Sequence, residues 1–249
     1  MKVITMSIIA ALLLLNCRKS ILVAETKTGM AFTKQLATIV EKNGKRTNLL
    51  YDQNGCLLAY VANDVVNYYK PGYNRFVTQL LKESNEKITY EYAQQDESGK
   101  IIQLARYTNG LPESRTEFSY NENGQLAKRT ISIDNNKQEF VYTYKEGNLV
   151  KIQEYENAML KSTIHFDHYH NQPNSIAVDL FDWKQIGFVS DGHFGMPSKN
   201  LTKSLEIITP GSPAITLQYV YKSDADGYVR SMKIESNGEM LKHYNFIFQ

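Results

Sequence analysis

The sequence predicts an all-β protein, built as one long up-and-down antiparallel meander of hairpins. The chain is rich in aromatic residues, with 17 Tyr, 10 Phe and one Trp, and such side chains favour the pleated, half-buried surface of a sheet. Asn-Gly and Asp-Gly pairs recur along the chain, and they supply the positive φ angles of tight hairpin turns. Apolar and polar residues alternate between these pairs, as they do in strands with one buried face.

The first two dozen residues are typical of an export signal. Met1-Lys2 is followed by an apolar run from Val3 to Leu15. This run has the length of a secretory apolar region, and it is shorter than the about 20 apolar residues that a spanning helix needs. We therefore assign residues 1–24 to a signal peptide and membrane tether.

A lipid attachment site is predicted at the end of this run. Leu14 and Cys17 are spaced as in the lipobox of bacterial lipoproteins, which the segment resembles, although Leu15 and Asn16 are bulkier or more polar than the usual residues there. The resemblance implies that Cys17 carries acyl chains such as palmitate and becomes the new N-terminus. Ordinary cleavage after Ala24 is the alternative.

The chain has two cysteines, Cys17 and Cys56. By count alone they can pair in a disulfide. A lipid on Cys17 excludes that pairing. Cys56 then lies at the head of an apolar strand, where we expect it to pack as a small apolar side chain.

One unit repeats from about residue 34 onward: a strand ending in Tyr or Phe, a polar turn with Gly, and a second alternating strand. The repeat is carried by Leu50–Gly55, Tyr90–Gly99, Phe118–Gly124, Tyr142–Gly147 and Tyr219–Gly227. Tyr120 and Tyr144 are 24 residues apart, and Tyr144 and Phe166 are 22 residues apart. Each spacing has room for two strands and two turns.

Alternation assigns the side chains to two faces of the sheet. One face is predicted to hold Phe140, Tyr142, Tyr144, Ile164, Phe166, Tyr244, Phe246 and Phe248. The other face is predicted to hold Glu139, Thr143, His165 and Asn245. Because an apolar face must be buried, we expect the meander to curl into a barrel, to fold over as a sandwich, or to wrap around its own inserted loops.

The repeats resemble the tyrosine-aspartate (YD or Rhs) repeats of bacterial surface proteins, with Tyr51-Asp52-Gln53-Asn54-Gly55 as the closest match. The chain from Gln35 onward also resembles a bacteroidal lipoprotein domain of unknown function. That resemblance is carried by Phe166–Pro173, Gly195–Leu201 and Tyr221–Tyr228. It implies an outer-membrane or cell-surface location and brings no known activity or catalytic residues.

Composition bounds the remaining possibilities. Lys and Arg number 28 and Asp and Glu number 26, scattered along the chain, so we expect no nucleic-acid partner. We expect one domain from residue 25 to residue 249, with an irregular aromatic insertion at about 179–213. The candidate binding residues are taken from this insertion: Trp183, Phe188, His193 and Phe194. Oligomeric state does not follow from the sequence.

Four residues of metal-binding type lie close together in the sequence: His165, Asp167, His168 and His170. On an extended strand the first two face one way and the last two the other. A shared site would need the strand to end near Asp167, so we favour a polar sheet edge and assign no metal and no cofactor.

The usual local marks of enzymes, such as a Gly-x-Ser-x-Gly elbow, are missing from the sequence. Asp224 and Asp226 lie in an Asp-Gly turn, where exposed acids are routine. A membrane-spanning sheet is disfavoured because Lys128 and Arg129 place charge on both faces of one strand. We therefore predict a non-enzymatic binding or structural module of the cell envelope, tethered by its lipid, with a glycan or a protein as its ligand. The alternative is a cell-surface hydrolase acting on polysaccharide or peptide.

Overall fold

The computed structural model describes residues 34–51, 57–62, 65–70, 75–80, 88–98, 100–176 and 195–249. Within these ranges the chain forms sixteen β-strands. The first eight are β1 (Leu36–Glu41), β2 (Arg46–Tyr51), β3 (Leu57–Ala62), β4 (Val65–Lys70), β5 (Arg75–Leu80), β6 (Ile88–Gln95), β7 (Ile101–Thr108) and β8 (Leu111–Tyr120). The others are β9 (Leu126–Ile133), β10 (Asn136–Lys145), β11 (Asn148–Glu156), β12 (Met159–Pro173), β13 (Asn200–Ile208), β14 (Ile215–Ser223), β15 (Val229–Ser236) and β16 (Glu239–Phe248).

Each strand pairs antiparallel with its neighbours in sequence, which confirms the predicted all-β, up-and-down fold. The ring is closed where β1 pairs with both β2 and β16. Ile39 lies opposite Phe246 on one side and opposite Thr47 on the other. Of the three arrangements that the sequence left open, the strands adopt the closed barrel. Closure leaves no sheet edge among the described strands that could pair with another chain.

The core lies inside the ring, on the face predicted from alternation. Phe140, Tyr142, Phe166 and Phe246 are each at most 8% exposed. Tyr144 and Phe248 are partly buried and pack against the same core. The neighbours Thr143, His165 and Asn245 are exposed. The assignment of faces from the sequence is therefore confirmed.

The two ends of the ring differ in their turns. Lys34 and Gln249 lie at one end, which we call the entry end, together with the turns at 96–100, 121–125, 146–147 and 224–228. The opposite end, which we call the far end, holds the turns at 42–45, 109–110, 134–135, 157–158, 209–214 and 237–238. Several of the far-end connections are two-residue turns, which match the twist of antiparallel strands.

Three entry-end turns are closed by the same side-chain device. The Oδ1 atom of Asp96 accepts the backbone N–H groups of Ser98 and Lys100 at 2.9 and 3.0 Å. Asn121 and Asp224 accept the N–H groups two and four residues ahead in the same way. The acceptor that closes each turn is therefore the Asp or Asn three residues before the glycine, and the residue directly before the glycine donates its backbone N–H to it.

A tyrosine just before the turn ties one hairpin to the next. The hydroxyl of Tyr120 donates to the Ile101 carbonyl at 2.6 Å, and that of Tyr51 donates to the Leu36 carbonyl at 2.7 Å. Burial raises the pKa of Tyr120, and the Asp96 carboxylate raises it further. The phenol therefore remains a donor over the whole physiological range of pH.

The predicted irregular insertion at 179–213 is partly wrong. Strand β13 occupies Asn200–Ile208 within it, and β12 runs on to Pro173 before it. Leu201 and Leu205 are 3% and 1% exposed and Ile207 packs against the core, so the segment has a buried face like the other strands. The apolar residues Leu201 and Leu205 are four positions apart, with Lys203 between them. This gap obscured the alternation of apolar and polar residues in the sequence.

Candidate functional site

A groove of about 400 Å³ lies on the outer face of strands β6 to β10. Its lining is mainly polar and consists of Gln94, Ile102, Gln103, Glu117, Phe118, Ser119, Lys128, Thr130 and Lys137. The core residues of the same strands, including Phe118 of this lining, have side chains that are buried inside the ring. The groove therefore faces the solvent outside the barrel.

Strand register aligns the polar side chains of the groove in one row. Gln94 pairs with Gln103, Gln103 with Glu117, and Glu117 with Thr130. Neighbouring strands lie about 4.8 Å apart, so Gln94, Gln103 and Glu117 present polar groups at regular intervals, and Thr130, which is 7% exposed, lies at the buried end of the row. Ser119 and Lys128 pair with each other on the same face, one step closer to the entry end.

Two β-bulges bend the sheet at this place. Ile102 is the extra residue between the pairs Gln94–Gln103 and Gln95–Ile101. Ala127 is the extra residue between the pairs Ser119–Lys128 and Tyr120–Leu126. A bulge increases the local twist and re-aims side chains. Further register shifts occur on the same strands at Arg106/Tyr107 and Thr143/Tyr144, so the outer surface around the groove twists more strongly than that of regular strands.

Ion pairs fix the charged groups around the groove. Lys128 Nζ lies 2.7 Å from a carboxylate oxygen of Glu139, and Lys137 Nζ lies 3.6 Å from the same atom. The hydrogen bond from Lys128 lowers the pKa of Glu139 against the opposing effect of burial, and the charges of both lysines add to this lowering. Arg115 pairs with Glu117 at 2.9 Å. The Glu139 carboxylate, whose pKa is lowered, therefore acts as a hydrogen-bond acceptor beside the groove.

An aromatic pair stands beside the polar row. Tyr92 is 41% exposed, and its ring contacts that of Tyr107 edge to face, with 5.6 Å between centroids. Tyr92 and Gln94 lie two residues apart on β6, so they share the outer face. The same holds for Gln103 and Tyr107 of β7, which are four residues apart. Amides, hydroxyls, lysines and an exposed aromatic surface therefore meet on one face of the sheet.

The four residues weighed for a metal site are not brought together. His165 and Asp167 are exposed on the outer face, whereas His168 is only 8% exposed. The ring nitrogens of His168 lie 2.7 Å from the Leu149 carbonyl and 3.2 Å from the Asn200 carbonyl. Among the described residues, no group of three or more His, Cys, Asp or Glu side chains could hold a metal ion.

The physical reason is that β12 does not end near Asp167. It continues to Pro173, with register shifts on both sides of His168. Asp167 pairs instead with Lys203 at 3.1 Å, and this hydrogen bond is the main cause of the lowered pKa of its carboxyl. His168 serves as a buried link between β11 and β13.

The Asp-Gly turn with Asp224 and Asp226 is structural. Arg230 contacts the Asp224 carboxylate at 2.6 and 2.7 Å, while Asp226 pairs with Lys34 at 3.3 Å. Desolvation opposes ionisation of Asp224, but the Arg230 hydrogen bond and two backbone N–H groups lower its pKa on balance. A general acid for glycoside chemistry needs a raised pKa, and Asp224 has the opposite shift.

The predicted binding residues Trp183, Phe188, His193 and Phe194 lie outside the described residues, as do Cys17 and Cys56. The flanks of that segment are anchored at the entry end. Ile176 is 2% exposed, and the Ser198 hydroxyl accepts the Leu149 N–H at 3.1 Å.

Sequence reasoning missed every residue of the groove. Gln94, Gln103 and Thr130 occupy outward positions of alternating strands, where polar residues usually serve only as a solvated face. The one available signal was Tyr92, an aromatic side chain at an outward position. Only the bulges and the strand register turn these residues into a site.

Comparison with known proteins agrees with this architecture. Residues 59–181, just under half of the chain, match a family model described only as an uncharacterised protein. No curated protein matches the chain in sequence. In the part of the chain that the structure describes, there is no helix with the length and apolar character to cross a bilayer.

Three solved structures illustrate the structural similarity. A porin-like protein from Bacteroides uniformis is 16% identical, with a TM-score of 0.64 over 88% of this chain and 98% of its own. A porin-like protein from Bacteroides vulgatus is 13% identical, with a TM-score of 0.57 over 86% and 98% of the two chains. The TcdB2-TccC3-TEV structure is 16% identical, with a TM-score of 0.34 over 88% of this chain and 14% of its own. The TM-scores show that the two Bacteroides proteins share the fold of this chain.

Proposed function

We propose that the protein is an exported, lipid-anchored binding protein of the cell envelope that holds a glycan in the outer groove of β6 to β10. The observation that carries the proposal is the groove itself. It combines a row of amide, hydroxyl and carboxylate groups with an exposed tyrosine pair on the same face.

The chemistry of the groove suits a sugar. Glycans present hydroxyls at intervals of a few ångströms, and these need both donors and acceptors. Gln94 and Gln103 each offer an amide with both functions, and the exposed Ser119 offers a hydroxyl. An aromatic ring such as that of Tyr92 offers a flat apolar surface beside a polar tip, which suits the C–H face of a pyranose.

The lipid anchor is compatible with the position of the chain start. Lys34 lies at the entry end, where its N–H donates to the Tyr228 hydroxyl at 2.9 Å. Residues 18–33 connect it to Cys17, and a chain of 16 residues spans at most about 55 Å. The similarity to porin-like proteins of two Bacteroides species supports an envelope setting.

The lowered pKa of Glu139 and the ion pair of Glu117 favour binding without turnover over hydrolysis. Glu139 has a lowered pKa and is held between Lys128 and Lys137. Glu117 is paired with Arg115. A glycosidase needs one carboxyl that keeps its proton near neutral pH, and Glu139 is driven the other way.

Glycan binding is tested with a chain that begins at Lys34, since the described strands of this part already close the ring among themselves. An array of neutral and uronic-acid oligosaccharides identifies a binder, and calorimetry then measures its affinity. Gln103→Ala should weaken binding about tenfold, which corresponds to about 1.4 kcal/mol. Gln218→Ala, an exposed glutamine on β14, is the matched control and should leave the affinity unchanged. An array with no binder, or equal effects of both variants, would refute the proposal.

The lipid anchor is tested separately by mass spectrometry of the membrane fraction. The expected N-terminal peptide begins at Cys17 and carries acyl chains, and Cys17→Ala should release the protein from the membrane. An intact, unacylated peptide that begins at Glu25 would rule out the anchor.

A further inference from the structure

The far end of the ring carries an unusual concentration of exposed aliphatic side chains. Of the twelve large hydrophobic residues that are exposed in the described part of the chain, eight lie beside far-end turns. We call them the far-end rim: Leu111, Ile133, Met159, Leu160, Ile208, Ile215, Met240 and Leu241. Their exposure runs from 39% for Met240 to 71% for Leu111. Single exposed apolar residues are ordinary, but a set gathered at one end requires an explanation.

The rim follows the closure of the barrel. Its members lie on the five successive hairpins β7–β8, β9–β10, β11–β12, β13–β14 and β15–β16. Neighbouring hairpins pair along their lengths, so their tips are adjacent around the ring. The rim is therefore one arc of apolar tips rather than scattered points.

The size of this arc fits a protein interface. Eight side chains with 39% to 71% exposure present several hundred Å² of apolar surface, which is comparable to the largest patches of monomeric proteins. It also approaches the roughly 800 Å² that one partner contributes to a standard interface. An arc of this size is sufficient for a weak to moderate dimer.

The charges around the rim are of both signs. Four of the five hairpins carry an acid and a base close to the tip: Glu113 with Arg115, Asp134 with Lys137, Glu156 with Lys161, and Glu239 with Lys242. Glu206 and Glu235 are further acids near the tips. Glu156 and Lys161 form an ion pair at 2.8 Å. A surface that docks on anionic lipid would instead carry an excess of Lys and Arg. Apolar tips within a polar border that has no excess of basic residues are typical of protein interfaces.

We propose that the far-end rim is the interface of a two-fold symmetric dimer, in which two copies of this chain meet end to end. In such an interface the same surface serves both partners, and each hairpin tip packs between tips of the other copy. The outer groove of β6 to β10 stays open in both copies, and the two entry ends point in opposite directions.

Analytical ultracentrifugation of the chain that begins at Lys34 tests this proposal. At about 100 µM the dimer should dominate, and dilution should dissociate it. The double variant Leu111→Lys and Met159→Lys should raise the dissociation constant at least a hundredfold, because each lysine buries a charge in the interface. The matched control is Val220→Lys with Ile247→Lys, two exposed apolar residues outside the rim, and it should dimerise like the unmodified chain.

A second pair of variants and a vesicle assay distinguish loss of dimerisation from loss of folding and from lipid binding. If the first double variant loses its circular-dichroism signal, then Ile215→Lys with Leu241→Lys replaces it at the same rim. Flotation with phosphatidylcholine–phosphatidylglycerol vesicles measures lipid docking. A chain that is monomeric throughout the concentration range, or one whose rim is needed for vesicle binding and not for dimerisation, would overturn the proposal.

Discussion

Replacing Ala158 with glycine should stabilise the protein. Ala158 has φ of 67° in the turn between β11 and β12, directly after Asn157 at 48°. The equivalent second positions of two other far-end turns are Gly110 at 83° and Gly238 at 80°. The left-handed region costs an L-residue about 1–2 kcal/mol, and glycine removes this cost in the folded state. Glycine also has more conformational freedom in the unfolded chain, and this lowers the stability by about 0.4–1 kcal/mol. The net stabilisation expected for Ala158→Gly is about 0.5–1 kcal/mol.

Gly110→Ala is the matched opposite change. A Cβ at Gly110 would meet no atom within 4 Å, so its effect comes from the backbone alone and should be a loss of similar size. Urea denaturation followed by circular dichroism measures the free energy of unfolding of both variants. Thermal denaturation is the second measurement, in which a change of 1 kcal/mol corresponds to about 2–4 °C in Tm for a domain of this size. The reasoning is refuted if Ala158→Gly destabilises the fold or if Gly110→Ala leaves it unchanged.

Three further predictions concern the entry end. Tyr120→Phe removes the donor to the Ile101 carbonyl and should cost about 1–3 kcal/mol in urea denaturation; an unchanged midpoint would show that the hydroxyl does not link the hairpins. Ser198→Ala leaves the N–H of Leu149 without its acceptor and should cost a similar amount, whereas Ser198→Thr should retain most of the stability. Because the pKa of Asp224 is lowered on folding, its contribution is complete above about pH 4 and is lost as the pH falls through the folded value. Tm should therefore fall on acidification from pH 5 to 2, and Asp224→Asn should flatten that fall; a Tm that rises on acidification would contradict this sign.

The faces of the strands and the positions of most turns could be predicted from the sequence, because both depend on local chemistry. Phe140 and Tyr142 alternate with polar neighbours, and Asn109-Gly110 has the residues that a tight turn needs. Closure could not be predicted, since β1 and β16 pair across most of the chain length and no local feature specifies that contact. The turn at Asn157-Ala158 was also hidden, because alanine gives no sign of a positive φ angle.

The candidate site was beyond the sequence for a related reason. Gln94, Gln103 and Thr130 are ordinary outward residues that the register of β6 to β9 brings into one row, beside the bulges at Ile102 and Ala127. A bulge depends on the pairing of two strands, and the pairing depends on the whole ring. For the metal-capable residues the sequence was informative: strand alternation places His168 inside the ring with Ile164 and Phe166, away from the exposed His165.

Hydrogen–deuterium exchange on the Lys34 chain, with and without its best-binding oligosaccharide, tests the assignment of the groove most directly. The account predicts slower exchange in peptides of β6 to β10 that contain Gln94, Gln103 and Thr130, with no change in β14. Protection confined to the entry-end segment around Ser198, or no protection in β6 to β10 at saturating sugar, would contradict it.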